Sequence, residues 1–93
     1  MTIQHTNTNG KGSFFAGEEN NRLAEMTYTM PSADKMIIEH TEVSDELKGK
    51  KVGYQLVHTA VEYARTNNIK IIPLCPFANS VFKKKAEYAD VLG

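Results

Sequence analysis

Ninety-three residues with 41% hydrophobic content and balanced basic and acidic side chains describe one small domain of foldable composition. No run approaches the roughly 20 apolar residues of a membrane span, and the polar opening MTIQHTNTNGKG lacks a secretory signal's charged-then-apolar order. The single cysteine, Cys75, excludes an internal disulfide and suits a reducing cytosol; with no closely spaced histidine pair, the chain also lacks the ligands of a structural zinc site.

In chain order, residues 1–12 are rich in Thr, Asn and Gly and read as a mobile segment preceding one domain over 13–93. Three strand-like segments follow. SFFAGEE carries Phe14 and Phe15 and breaks at Gly17. NRLAEMTYTM alternates, with Ala24, Met26, Tyr28 and Met30 on one parity and Leu23, Glu25, Thr27 and Thr29 on the other. After the turn PSAD, KMIIEHTEV puts Met36, Ile38, His40 and Glu42 on one face and Ile37, Glu39, Thr41 and Val43 on the other. Short turns predict an antiparallel meander. A loop, SDELKGK, then leads into a helix over about Lys51–Asn67, with Val52, Leu56, Ala60, Tyr63 and Ala64 forming an apolar stripe. Asn residues close it. IKIIPL reads as a central strand covered on both faces, parallel to Lys35–Val43 across the helical crossover. A short helix over about Ala78–Lys85 ends the order.

Charge is divided along the chain. Met1–Leu47 carries three basic against eight acidic residues, and Lys48–Gly93 carries eight basic against three acidic. The positive half concentrates at Lys48/Lys50/Lys51 and Lys83/Lys84/Lys85. Two readings fit the first cluster. Unpaired N–H groups and the macrodipole at a helix start favour an anion, with Gly49 and Gly53 keeping side chains away from it and the lysines adding charge. Alternatively Gly49 ends a turn, Gly53 allows close packing, and the lysines face water. Walker A spacing and G-x-G-x-x-G are both absent.

The order of strands with HTEVSDELKGKKVGYQLVHTAVEYAR followed by IIPLCPF resembles the GNAT superfamily of acetyl-CoA-dependent N-acetyltransferases. More narrowly, it resembles short single-domain members carrying a Pro-Leu-Cys-Pro-Phe segment. On the superfamily signature Gln/Arg-x-x-Gly-x-Gly/Ala, Lys48 takes the first place, Lys51 the first Gly place and Gly53 the last. Lys51 is the main departure. The resemblance implies an α+β fold, with a mixed, mostly antiparallel sheet, a long helix crossing between two parallel, splayed central strands, and a short C-terminal helix. It implies acetyl-CoA as cosubstrate, its pantetheine arm beside Thr41, Glu42 and Val43 and its pyrophosphate on the amides of Lys48, Gly49, Lys50, Lys51, Val52, Gly53 and Tyr54. Asn79 is the candidate for the pantetheine amides. An N–H near Val43 polarises the acetyl carbonyl.

Acetyl transfer to an amine calls for a base, and His40 is the candidate because its ordinary pKa is near 6.5. Cys75 is either a nucleophile, with His40 on the neighbouring strand, or a small residue lining the thioester channel. By resemblance, Tyr88 protonates the leaving thiolate. Only GEEN separates the first two strands, so the helices that build the acceptor site in most relatives have no counterpart. The expected function is N-acetyl transfer to an unidentified amine or peptide in the cytoplasm, by a monomer or weak homodimer. A non-catalytic acyl-CoA-binding module competes with it. Binding of a nucleic-acid backbone is a third reading, weakened because only Tyr54 and Phe82 lie near the lysines to stack on bases.

Overall fold

The computed structural model describes residues 2–93. Five strands form one sheet in sequence order: β1 (Ile3–Thr8), β2 (Lys11–Glu18), β3 (Asn21–Ser32), β4 (Lys35–Val43) and β5 (Lys70–Pro73). The first four are antiparallel neighbours, and β5 runs parallel to β4. Two helices, α1 (Val52–Asn67) and α2 (Pro76–Lys84), are followed by a 3-10 segment, Ala86–Val91. No helix among the described residues is long and apolar enough to cross a membrane.

The expected stripe on α1 is the seam of the core. Leu56, Val57, Ala60, Val61 and Ala64 are fully buried against Phe14, Met26, Tyr28, Met36 and Ile38 of the sheet. Full burial of each larger side chain contributes about 1.5–3 kcal/mol, which is what holds a helix of this length in place. Asn68 closes α1 in the left-handed region, at φ 55°, its N–H bonded to the Ala64 carbonyl. Residues of α2 join the same core through Ala78, Val81 and Phe82.

Three expectations are corrected. Residues 1–12 are not a loose segment: β1 pairs with β2 from Ile3↔Ala16 to Thr8↔Lys11. Its anchor is His5, stacked on Phe14 at 4.2 Å and bonded through Nε2 to the buried Tyr28 hydroxyl at 2.5 Å. Met1 lies outside the described residues. Second, β5 lies at the sheet edge rather than its centre, with Ile71 buried and Ile72 half-buried. The chain end lies along it, through a parallel bridge of Leu92 to Ile71 and the Gly93 N–H on the Ile71 carbonyl at 2.8 Å. Third, β4 does not keep one parity. Thr27 pairs with His40 while Tyr28 pairs with Ile38, so Glu39 is an extra residue, a β-bulge. Beyond it Thr41 pairs with the buried Met26 and Val43 with Ala24, turning Thr41 and Val43 to the helix side and His40 and Glu42 to the other.

Among the described residues that other side carries no helix. Arg22 lies across it instead, its guanidinium 4.0 Å over the buried Phe15 ring and bonded to Ser13 Oγ and Glu25.

A second arginine ties the C-terminal segment to α1. Arg65 holds both carboxylate oxygens of Asp90, at 2.8 and 2.9 Å, together with Glu62 and the Glu87 carbonyl. The Arg65 hydrogen bond holds the Asp90 pKa below its ordinary value. A carboxylate depressed by folding stabilises above its unfolded pKa, and that contribution is lost as pH falls through the folded one. The melting-temperature gap between the wild type and Asp90→Asn is therefore expected to be open at neutral pH and to close below the normal carboxylate range. A gap that does not change with pH would refute the tie.

Candidate active site

The mouth of α1 is built from main-chain donors. Lys51 is the N-cap, in the left-handed region at φ 59°, and no side chain caps the helix. Its first turn holds no acidic residue. Lys48 and Lys50 donate their N–H groups back to Asp45 and Leu47. Among the described residues, the N–H groups of Gly49, Lys51, Val52, Gly53 and Tyr54 meet no protein acceptor. Such a run forms an anion-binding concavity, reinforced by the helix dipole. A Cβ on Gly49 (φ 83°) would meet nothing within 4 Å, so the space beside that residue is open.

The three lysines are not equivalent. Lys48 Nζ is paired with Asp45 at 2.9 Å, an exposed contact that draws the Asp45 pKa down. No acceptor among the described residues holds Lys50 or Lys51.

Of the two readings of Gly53, the close-packing one is favoured, with α2 rather than the sheet as the neighbour. A Cβ there would stand 2.6 Å from Phe77 Cζ, so its missing side chain admits α2 rather than a phosphate, and only its N–H faces the mouth. Gly53→Val is expected to destabilise the fold by about 1–3 kcal/mol through overpacking against Phe77. Thermal unfolding checks this. An unchanged melt would return Gly53 to the phosphate role.

Beside the mouth, β4 and β5 part. Their pairing runs from Lys35↔Lys70 to Ile38↔Pro73 and stops. The N–H groups of Leu74 and Cys75 then both converge on the Ile38 carbonyl, at 3.0 and 3.1 Å, and Pro76 opens α2 as its first residue. A proline suits that position because its missing N–H is unneeded there. Glu39–Val43 continue without a β5 partner, so the expected splay is present and its causes are the prolines on one strand and the bulge on the other.

Cys75 lies on the helix side of this wedge, buried, its Sγ–H donated to Thr41 Oγ1 at 3.3 Å. His40 is on the opposite side, its Nε2 2.8 Å from Glu42, with 63% and 70% of the two side chains exposed. The fold therefore does not bring Cys75 and His40 together; the extra residue at Glu39 separates them by a sheet face. Asn79 is exposed on the first turn of α2. Tyr88 is buried to 8% exposure beside α1, its hydroxyl 2.9 Å from His58 Nδ1. Burial raises the Tyr88 pKa. Sequence reasoning missed His58, Phe77 and the Thr41 hydroxyl. A signal existed for His58, four residues beyond Tyr54 on the polar side of α1.

A model of the GCN5-related N-acetyl-transferase family matches residues 13–91. The chain belongs to that family. Among solved members, a GCN5-like candidate N-acetyltransferase from Staphylococcus aureus, a solution structure, is 43% identical with a TM-score of 0.75. That match covers 97% of this chain and 87% of the other. Two more distant structures share the fold. An aminoglycoside N-acetyltransferase in complex with CoA is 10% identical with a TM-score of 0.62, over 89% of this chain and 88% of that one. A predicted acetyltransferase with acetyl-CoA, from Clostridium acetobutylicum, is 20% identical with a TM-score of 0.62, over 82% of this chain and 56% of that one. No curated protein matches the chain. In this GCN5-related N-acetyltransferase fold, the helix mouth and the wedge adjoin each other on the helix side of the sheet.

Proposed function

We propose that the chain binds acetyl-CoA and moves its acetyl group to an amine acceptor. The observation that carries this reading is the run of unpartnered main-chain N–H groups at the mouth of α1, adjoining a sheet opened between β4 and β5. The family membership and the CoA-bound relatives support it.

Each part of the chain has a separate task. The donors from Gly49 to Tyr54 would hold the pyrophosphate, with Lys50 and Lys51 adding charge. The unpaired edge of Glu39–Val43 would hold the pantetheine arm, and a main-chain N–H there would polarise the acetyl carbonyl. Cys75, buried and hydrogen-bonded to Thr41, fits a channel wall better than a nucleophile, because no base stands beside its sulfur. The amine would approach over the bare face, where His40, oriented by Glu42, accepts its proton. The acid role expected of Tyr88 is left out of this reading, since its hydroxyl is engaged by His58 on α1.

Amide chemical-shift titration with acetyl-CoA, followed by thioester consumption with a pool of amines, tests the reading. Shifts at Gly49–Tyr54 and Glu39–Val43 with amine-dependent consumption are expected. Shifts without consumption would reduce the chain to an acyl-CoA-binding module. Shifts confined to scattered lysines would defeat the assignment. Cys75→Ala is expected to keep consuming thioester, and full loss of activity in a folded variant would restore the nucleophile.

A further inference from the structure

We propose that His5 is a pH-sensitive latch on β1: the strand is docked while the imidazole is neutral and is released progressively as the ring takes up a proton. The inference stands apart from the acetyl-transfer reading, because it concerns only how the N-terminal strand is held.

Three other elements build the latch around the half-buried ring. His5 lies flat on Phe14 of β2, with ring centres 4.2 Å apart and planes 10° from parallel, and edge-on to Tyr63 of α1 at 4.6 Å. Its Nε2 meets the hydroxyl of Tyr28, a β3 residue only 1% exposed. The same hydroxyl accepts a hydrogen bond from the Asn7 side-chain amide at 2.9 Å. With Asn7 donating, the phenol proton has one acceptor among the described residues, His5 Nε2. The neutral imidazole therefore carries its own proton on Nδ1.

That direction fixes the response to acid. A proton on Nε2 turns the acceptor into a donor, and the phenol proton is left without a partner. Stranding a buried hydroxyl is unfavourable, and Tyr28 lies too deep for water to replace the lost acceptor. Stacking on Phe14 favours an imidazolium, but burial outweighs it and holds the His5 pKa below its ordinary value.

No charge of the described chain compensates the added proton. The ionisable groups facing His5 are the phenols of Tyr28 on β3 and Tyr63 on α1; on β2 it faces Phe14, and on β1 the neutral Asn7. Among the described residues no carboxylate forms an ion pair with it. Lys11 stands opposite Thr8 at the far end of the ladder, and Glu62 of α1 is held by Arg65. His58, earlier on α1, is bonded to Tyr88.

Release of β1 reaches the mouth of α1. Ile3 lines the depression there together with Lys50, Lys51 and Tyr54, so a loosened strand removes one wall. A histidine whose pKa is lowered by docking binds a proton better once released. Docking is therefore at full strength above about pH 6.5, weakens as pH falls through that value, and levels off below the docked pKa.

Amide hydrogen exchange of the full chain at pH 7.5 and 5.5, corrected for intrinsic rates, tests the latch. The open population read from the β1 amides that bond to β2 is expected to grow about five- to tenfold, the advantage of a released imidazole over a docked neutral one across that range. At both values β1 is expected to open more readily than α1, which marks the release as local. His5→Gln, whose carboxamide oxygen still accepts the phenol proton but does not titrate, is expected to lose the pH dependence. A pH-independent wild type, or a His5→Gln variant that keeps the full dependence, would overturn the latch. So would equal opening of β1 and α1, since the strand would then leave only with the whole fold. If His5→Gln fails to dock β1 even at pH 7.5, the wild-type imidazole resonances decide. A His5 titration midpoint below that of an exposed histidine supports the latch, and one at or above it overturns the proposal.

Discussion

Gly12→Ala, the addition of one methyl group, is expected to be among the most damaging single substitutions in this chain. The new carbon would lie 2.2 Å from the Thr6 carbonyl oxygen and 2.5 Å from the Tyr28 hydroxyl. Neither can step aside cheaply. Thr6 is fixed by the β1–β2 ladder, and Tyr28 is buried, bonded to His5 at 2.5 Å and to Asn7 at 2.9 Å. Overpacking costs about 1–3 kcal/mol, and stranding a buried hydroxyl costs a similar amount, so a total loss of about 3 kcal/mol or more is expected. For a small domain that is a large share of the whole stability and lowers the melting temperature by more than about 10 °C. Gly49→Ala, whose carbon would meet open space and whose cost is only that of a left-handed backbone at φ 83°, about 1–2 kcal/mol, is the milder comparison. If the Gly12→Ala variant melted with the wild type, β1 would not be docked as described, and the loose-segment reading would return.

Two substitutions of Lys51 are expected to have opposite consequences. Lys51→Glu places a carboxylate among the donors proposed to hold an anion and removes a cation that has no partner among the described residues. Loss of a charge-assisted contact together with the new repulsion is expected to weaken acetyl-CoA binding about a hundredfold, or about 2.7 kcal/mol. The fold should be untouched, because the side chain is exposed. Lys51→Gly removes the same charge but also relieves the left-handed backbone at φ 59°. Net of the extra freedom glycine has when unfolded, it is expected to stabilise by about 0.5 kcal/mol. Calorimetry and thermal unfolding of the pair separate the two effects. Wild-type affinity in Lys51→Glu would place the anion elsewhere. A lower melting temperature in Lys51→Gly would show that the lysine side chain contributes packing that offsets its strain.

Much of this was legible beforehand because it depends on period and on local chemistry. The alternation of β3, the stripe on α1, the asparagine stop and the glycine–lysine loop that leads into α1 are each stated within a few neighbouring residues. What could not be read depends on partners distant in sequence. Residues 1–12 look unstructured because their Thr, Asn and Gly content is typical of a tail, yet His5 finds Phe14, Tyr28 and Tyr63 only after folding. Gly53 stood open between cradle and packing because its neighbour Phe77 belongs to another helix. IKIIPL is as apolar as a central strand, but nothing in its composition says that the sheet ends there. The bulge at Glu39 has no mark in KMIIEHTEV, since alternation continues through it on paper. It made the facing of Thr41, Val43, His40 and Glu42 wrong while leaving the strand itself right.

That single inserted residue sorts the reaction's tools into two compartments. Under the proposed function the sulfur-bearing arm would share the roofed compartment with the thiol of Cys75, while the imidazole–carboxylate couple stands outdoors, so donor and acceptor would arrive through separate doors. Under this arrangement both substrates can be present at once and the acyl group can pass straight across the gap, with no need for a stopover on the enzyme's own sulfur.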